Sequence, residues 1–135
     1  MVVLVMRILL LVCALAAVSS AAARSLTGLP AQPAPPEQTV DIAAERFSFT
    51  PSEVKTRVGT KLTIRLTSDD TAHGFRIIGS HVNIEIPKRG RGVTTVSFTP
   101  EAAGRYTFEC SKLCGAGHGF MRGVIVAEDA VTGEQ

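Results

Sequence analysis

Alternation of apolar and polar residues with a period of two runs along the chain from Thr39 and constrains its fold more than any other feature. The clearest stretch is Leu62 to Leu66, in which every second side chain is a leucine or isoleucine. Alternate side chains of a strand point to opposite faces, so this stretch predicts a strand with one buried face. No segment shows a convincing helical period. The pattern therefore predicts an all-β domain.

Similar stretches recur along the chain and are separated by turns rich in glycine and proline. Short strands with such turns every 8–12 residues or so are typical of an antiparallel β-sandwich or barrel. We therefore expect this architecture. The predicted strand segments are 40–42, 47–49, 54–58, 62–66, 75–78, 82–86, 93–98, 106–110 and 123–127.

Length and composition exclude several classes of function. A chain of 135 residues has room for about one domain. Its formal net charge is +2, a surplus too small to build a nucleic-acid-binding surface by itself. Hydrophobic residues make up 45%, which is too many for a disordered chain. No Ser-His-Asp set, carboxylate pair or phosphate-binding loop is evident, so nothing indicates a hydrolase or transferase.

Residues 1–23 have the pattern of an export signal. Arg7 is the only charged residue, residues 8–18 form an unbroken apolar run, and small residues occupy 19–23. The apolar run is shorter than the ~20 residues of a membrane-spanning helix, which favours cleavage over permanent anchoring. We therefore expect a periplasmic or otherwise extracytoplasmic protein. If the segment is not cleaved, it would attach the domain to the outer face of the inner membrane.

Composition changes again after the export signal. Residues 24–38 contain four prolines and predict an extended linker that cannot pack a core. Period-two alternation then marks residues 39–128 as the folded domain, and residues 129–135 are predicted to be a C-terminal tail.

Metal-binding side chains are concentrated between the last two predicted strands. Cys110, Cys114, His118 and Met121 fall within 12 residues. Thiolate and thioether groups favour copper or zinc, and imidazole suits both metals. Three glycines in the same segment permit the tight bend that would bring the four side chains around one point. The segment therefore predicts a metal site.

A further ligand is expected from a distant part of the chain. His73 begins a predicted strand after a loop, and in a sandwich that end can lie beside the connection between the last two strands. We therefore predict His73 as a ligand. His81 follows Gly-Ser in another turn and is expected to be an ordinary surface histidine.

The cysteine-containing segment resembles the loop of the dinuclear purple copper (CuA) domain, found in cytochrome c oxidase subunit II and nitrous-oxide reductase. That family reads Cys-x3-Cys-x3-His-x2-Met, and this sequence matches it at Cys110, Cys114, His118 and Met121. His73-Gly-Phe is similar to the family's first histidine ligand. The resemblance covers roughly residues 39–128 and implies a cupredoxin-like Greek-key β-sandwich.

The resemblance also implies a cofactor and a role. The cofactor is a pair of copper ions bridged by both cysteines, and the role is electron transfer between a donor and an acceptor, such as a cytochrome and a terminal oxidase. Any oxidase activity would belong to a complex rather than to this chain alone. The implied ligands are the side chains of His73, Cys110, Cys114, His118 and Met121 and the backbone carbonyl of Lys112.

Other sites can be built from the same residues. Cys114, His118, Met121 and His73 could form a mononuclear blue-copper site, which would leave Cys110 spare. Two cysteines and two histidines also make a zinc site, in which the methionine has no role. An exported copper-storage or copper-delivery protein is a further alternative. The two cysteines could instead form a disulfide, although one spanning so short a loop would stabilise the fold little.

Two departures from the family bear on partners. Lys112 stands where the family usually has a glutamate that helps bind magnesium at the contact with oxidase subunit I. Lysine cannot ligate magnesium, so we do not expect a magnesium-bridged contact. The chain also lacks tryptophan, the family's aromatic entry point for electrons. Phe75 and Phe120 are the nearest candidates for an apolar docking patch, unless they belong to the core.

Basic residues near the predicted site suggest the charge of a partner. Lys112 and Arg122 flank the cysteine-containing loop, Arg76 follows His73, and residues 88–92 form a basic turn. If these residues surround the metal, the docking face is positive and would steer an acidic redox protein toward it.

Overall fold

The structure is a computed structural model that describes residues 34–129. The predicted export signal, residues 24–33 of the predicted linker and residues 130–135 of the predicted tail lie outside the described residues. Within residues 34–129, no helix combines the length and the apolar character that crossing a membrane requires.

Every predicted strand segment corresponds to a strand of the structure. The first strand begins at Glu37, two residues before the predicted start of the domain. One turn of 3₁₀ helix, His118–Phe120, interrupts the connection between the last two strands. The strands of the described part are β1 (Glu37–Glu45), β2 (Ser48–Thr50), β3 (Glu53–Arg57), β4 (Lys61–Ser68), β5 (His73–Ile77), β6 (Asn83–Ile86), β7 (Thr94–Phe98), β8 (Gly104–Glu109) and β9 (Arg122–Glu128).

The strands form two sheets that pack face to face. One has the order β2-β1-β4-β7 and the other the order β3-β9-β8-β5-β6. The prediction of a β-sandwich is confirmed, but the expectation that it is purely antiparallel was wrong. Strand β1 pairs in parallel with β4, and β3 in parallel with β9. The chain crosses between the sheets before these strands pair, and period-two alternation carries no information about strand direction.

The core lies between the two sheets and follows from the alternation. On β4, Leu62, Ile64 and Leu66 are all fully buried. The Phe49 ring of the first sheet lies 5.8 Å from Phe75 and 5.3 Å from Phe108 of the second sheet, and those two rings lie 5.1 Å apart, all measured between centroids. Aromatic rings in such tilted and edge-to-face contacts stabilise each other beyond their burial alone. Phe75 is therefore a core residue, as the sequence analysis allowed, and is excluded as a candidate for the docking patch.

The inward-facing side chains of the neighbouring strands β5 and β8 extend from the core to the predicted site. His73 and Phe75 share the buried face of β5, and Phe108 and Cys110 share that of β8 and its continuation. Strands β5 and β8 pair antiparallel, with Ile77 opposite Phe108. The start of β5 therefore lies beside the end of β8, where the core meets the cysteine-containing loop.

Close packing at Gly123 generates a stability prediction. A Cβ atom at Gly123 would overlap the Phe108 ring and lie 2.5 Å from the Ser52 carbonyl oxygen. Overpacking of a filled core costs roughly 1–3 kcal/mol. We expect Gly123→Ala to lower the free energy of unfolding by that amount, measured by denaturant titration of the metal-free chain.

Gly119→Ala is the matched control, because no atom lies within 4 Å of a Cβ at Gly119. Its free energy of unfolding should change by no more than about 0.5 kcal/mol. Equal losses in the two variants would contradict the packing described for Gly123.

Candidate metal centre

The loop from Cys110 to Met121 connects β8 to β9 and is closed at its base. The Cys110 N–H donates to the Met121 carbonyl over 3.0 Å, which continues the pairing of the two strands by one step. Within the loop, the His118 N–H donates to the Gly115 carbonyl, and the Met121 N–H donates to the His118 carbonyl. These bonds turn the loop back over the end of the core, so its first and last residues are neighbours.

The turn between β1 and β2 packs against the outside of this loop. Arg46 Nε donates to the Cys114 carbonyl over 2.8 Å. A Cβ atom at Gly117 would overlap the Phe47 ring, so only glycine permits this approach. Gly115 has φ of 142°, in the region that side chains disfavour. The loop glycines therefore serve both the bend and the contact with Phe47.

Three sulfur atoms meet beneath the loop. Cys114 Sγ lies 3.8 Å from both Cys110 Sγ and Met121 Sδ, and all three residues are buried. A disulfide requires about 2.05 Å, so the cysteines are free thiols and the predicted alternative of a disulfide is not what the structure contains. The two thiol sulfurs are closer than twice a metal–sulfur bond of about 2.3 Å, so one ion can contact both.

Each cysteine has an imidazole beside it. His73 Nδ1 lies 4.0 Å from Cys110 Sγ, and His118 Nδ1 lies 3.8 Å from Cys114 Sγ. The ligand atoms of His73, Cys110 and Cys114 lie within 4.8 Å of one another. His73 is fully buried, whereas His118 is partly exposed. The His73 imidazole therefore lies on the core side of the sulfur cluster, and the His118 imidazole lies on its surface side.

The carbonyl of Lys112 completes the group of predicted ligands. It accepts a hydrogen bond from the Cys110 thiol over 3.1 Å, while the Lys112 side chain turns away to Glu85. The Gly74 N–H donates to Cys110 Sγ over 3.5 Å, and a Cβ at Gly74 would lie 2.6 Å from the Lys112 nitrogen. Glycine at this position thus lets β5 approach the loop closely. The structure brings all six predicted groups together.

His81 lies away from this cluster, as expected. It is exposed and follows Gly79 and Ser80 in the connection between β5 and β6. His73 is the first residue of β5, whereas the connection that contains His81 follows the last residue of that strand. The two histidines therefore lie at opposite ends of β5.

Asp70 contacts the candidate ligand His73, and the sequence reasoning missed it. Its Oδ1 lies 2.7 Å from His73 Nε2, which orients the ring with Nδ1 toward the sulfurs. Burial acts to raise the pKa of the Asp70 carboxyl, but hydrogen bonds from His73 and from the backbone N–H groups of Thr71 and Arg46 outweigh it and lower that pKa. A carboxylate three residues before a candidate ligand was the signal that could have revealed it.

The environment of Cys114 opposes ionisation of its thiol. Burial, assisted by the hydrogen bond and the charge of neighbouring Cys110, raises the pKa of Cys114 to about 11. The positive charge of Arg46 acts in the opposite direction but is the smaller effect. The Cys114 thiol is therefore protonated at neutral pH without a metal, and a bound metal must displace its proton.

Contacts from distant segments were also missed. Arg46 and Phe47 belong to the β1–β2 turn, about 70 residues before the loop that they contact. Ser111 Oγ donates to Asn83 Oδ1 over 2.7 Å and so ties the loop to β6. Nothing in the local sequence around Arg46 or Asn83 marks these residues, because only the sheet pairing brings them to the site.

The assembled donor set is soft and closed. It offers three sulfurs, two imidazole nitrogens and one backbone oxygen around a buried point. Such a set suits copper or zinc and does not suit magnesium or calcium, which prefer oxygen ligands. The donors fit the copper centre implied by the sequence.

Comparison with known proteins agrees with this geometry. Residues 7–127 match the family model of the cupredoxin-like domain. Cytochrome c oxidase subunit 2 of Thermus thermophilus is 33% identical over 98 residues, which span 73% of this chain and 71% of the relative.

Solved structures give the same relationship. A chain of a heme-copper terminal oxidase dimer superposes with a TM-score of 0.60 and 25% identity, covering 94% of this chain and 92% of that one. The periplasmic domain of cytochrome oxidase subunit II of Bradyrhizobium japonicum gives a TM-score of 0.61 at 20% identity, covering 67% and 83%, and supports the fold. The predicted resemblance is confirmed: the chain belongs to the cupredoxin-like domain family, as a homologue of cytochrome c oxidase subunit 2.

Proposed function

We propose that this chain is a copper-binding electron-transfer protein whose centre holds two copper ions. The observation that carries the proposal is the pair of buried thiols, Cys110 and Cys114, 3.8 Å apart with a separate imidazole beside each. A pair of sulfurs with an imidazole on each side can bridge two ions and offer each ion a nitrogen ligand of its own.

The remaining donors distribute over the two ions. In this proposal Cys110 and Cys114 would hold both ions, His118 and the Lys112 carbonyl would complete the coordination of one, and His73 and Met121 that of the other. A bound pair would supply one-electron redox chemistry, with the added charge shared by both ions. The chain supplies the cage that holds the pair and excludes water from it.

Two properties of the cage favour electron transfer over catalysis. The side chains proposed as ligands are buried except for partly exposed His118, and exposed Lys112 contributes only its backbone carbonyl, so no open coordination position faces a substrate. The loop is also fixed by its own hydrogen bonds and by Arg46, which limits movement when the charge of the centre changes. We propose that the donor and acceptor are separate redox proteins, such as a cytochrome and a terminal oxidase. We place the chain outside the cytoplasm, with the predicted export signal or anchor.

The structure weighs against two of the alternatives left open by the sequence. Cys110 is not spare, as a mononuclear blue-copper site would require, because its sulfur lies among the other donors. A zinc site would give no role to Met121, yet its sulfur lies against Cys114 in the same buried cluster. Copper storage or delivery uses the same donors and is distinguished by experiment.

Copper loading tests the proposal. We expect the full chain to bind two copper ions and to take up one electron reversibly per two ions, measured by metal analysis and redox titration. Cys114→Ser should remove one bridge and eliminate the two-copper form. His118→Ala should weaken copper binding, because it removes a ligand from one ion, whereas the matched control His81→Ala should leave the copper count unchanged.

Three results would count against the proposal. They are a single copper ion per chain, a preference for zinc over copper, and rapid loss of the metal to a chelator after reduction. The last would identify a storage or delivery protein.

The hydrogen bond between Asp70 and His73 generates a second prediction. Loss of a carboxylate that orients a metal-binding histidine typically weakens metal affinity by about 10–100-fold. We expect that loss in Asp70→Asn, measured by competition with a chromophoric copper chelator. Asp69→Asn is the matched control, because Asp69 is exposed and its backbone N–H bonds to Ala44 instead. Equal affinities of the two variants would show that Asp70 does not orient His73.

A further inference from the structure

Two large apolar side chains on the ligand loop are exposed to solvent. Leu113 is 81% exposed and Phe120 is 84% exposed, more than any other large hydrophobic residue of the described part. Leu113 immediately precedes one cysteine ligand, and Phe120 lies in the same 3₁₀ turn as His118. Exposed apolar residues next to a buried centre mark a surface that is covered in a complex.

Positive charge accompanies these apolar residues at the same end of the sandwich. The turn with Lys88, Arg89 and Arg91 joins β6 to β7, and its Arg89 N–H donates to the Asp70 carbonyl over 3.1 Å. This bond holds the basic turn beside the residue that orients His73. All three basic residues of the turn are exposed.

Arg46 and Arg122 add charge beside the loop itself. The Arg46 guanidinium donates to the neutral Cys114 carbonyl, and Arg122 Nη2 donates to the neutral Gly119 carbonyl over 2.7 Å. Neither contact offsets the positive charge of the arginine. Both guanidinium groups therefore contribute to the potential in front of the centre.

Most of the acidic side chains at this end are engaged within the chain. Three carboxylates form ion pairs or hydrogen bonds with cationic or imidazole groups, and two exposed carboxylates, Glu45 and Asp69, form no ion pair among the described residues. Arg76 and Lys112, which the sequence suggested as part of a positive face, are offset by these pairs. The paired groups are Asp70 with His73, Glu85 with Lys112 and Glu109 with Arg76.

A net excess of cations remains around the apolar residues. Five cationic residues have no acidic partner among the described residues. They stand against three carboxylates, Glu45, Asp69 and Asp70, the last of which is paired with an imidazole and not with a cation, so the surface is positive although the whole chain is nearly neutral. A second copy of the chain is a poor occupant, because a self-complementary contact through this surface would place like charges together. The five cationic residues are Arg46, Lys88, Arg89, Arg91 and Arg122.

We propose that this end of the sandwich docks an electron-transfer protein whose cofactor edge is surrounded by acidic side chains. The inference rests on the proposed function and adds the chemistry of the partner. Cationic residues of the 88–91 turn steer the partner from a distance, and Leu113 and Phe120 make the close contact beside His118. Charge complementarity favours a partner with an acidic surface, and the exposed apolar side chains mark where that partner makes contact.

Binding to the metal-free full chain tests the proposal without copper chemistry. Two c-type cytochromes serve as probes, one with carboxylates around its haem edge and one with lysines, and amide NMR shifts map the contact. We expect the acidic cytochrome to bind and to shift residues 88–91 and 112–122. Raising the salt concentration from about 20 to about 200 mM should weaken this binding at least about tenfold. Tighter binding of the basic cytochrome, or shifts elsewhere on the sandwich, would overturn the proposal.

Charge reversal at two places provides the matched comparison. The triple variant Lys88→Glu, Arg89→Glu, Arg91→Glu should lose at least about tenfold in affinity for the acidic cytochrome. The control triple variant reverses the charge of three exposed basic residues of the second sheet, which lie beside the end of β9 that is remote from the ligand loop. It should change the affinity for the acidic cytochrome by less than about twofold. Equal losses in the two variants would overturn the proposal. The control substitutions are Lys55→Glu, Arg57→Glu and Arg105→Glu.

The apolar contact has its own variant. Phe120→Ser should weaken binding of the acidic cytochrome at high as well as low salt, because its contribution is not electrostatic. Unchanged binding in this variant would exclude Phe120 from the docking surface.

Reduction of the copper-loaded chain separates failure of docking from failure of the proposed function. Hexaammineruthenium(II), a small one-electron donor, needs no protein contact. If it reduces the centre while the acidic cytochrome does not bind, the docking proposal alone fails. If no donor reduces the centre although the cytochrome binds as expected, the proposed function fails and the docking surface stands.

Discussion

The pairing of β8 with β9 and with β5 is the constraint on which the centre depends. Strand β8 ends just before Cys110, β9 begins just after Met121, and β5 begins at buried His73. Antiparallel pairing brings these three strand ends to one edge of the core. The candidate ligands at these strand ends therefore continue the inward-facing rows of the sandwich, and the packing that stabilises the fold also sets the spacing of the sulfurs. A change in strand register would move Cys110 to the solvent-facing side.

This arrangement explains how a buried, soft donor set is kept ready for a metal. Burial raises the pKa of the Cys114 thiol, so this thiol is protonated when no metal is present, and the Cys110 sulfur lies against the Lys112 carbonyl. A metal would displace the Cys114 proton without a large rearrangement, since the loop is held by the β1–β2 turn from outside and by β5 from inside. Partly exposed His118 then gives the centre a short route to the surface, at the place where the exposed apolar side chains lie.

Sequence alone could predict the parts of this account that are local. Period-two alternation located every strand, and the close spacing of Cys110 and Met121 identified the loop, because both signals lie within a few residues. Pairing direction could not be predicted, since parallel β1–β4 contacts arise only after the chain crosses between sheets. Arg46 was missed for the same reason. Phe75 was ambiguous because an aromatic residue in a strand has the same pattern whether it faces the core or a partner.

The number of metal ions that share the two cysteines is the central claim, and electron paramagnetic resonance of the oxidised, copper-loaded chain tests it most directly. The account predicts a purple protein in which one unpaired electron couples to two copper nuclei. A blue protein whose unpaired electron couples to one copper nucleus would contradict it.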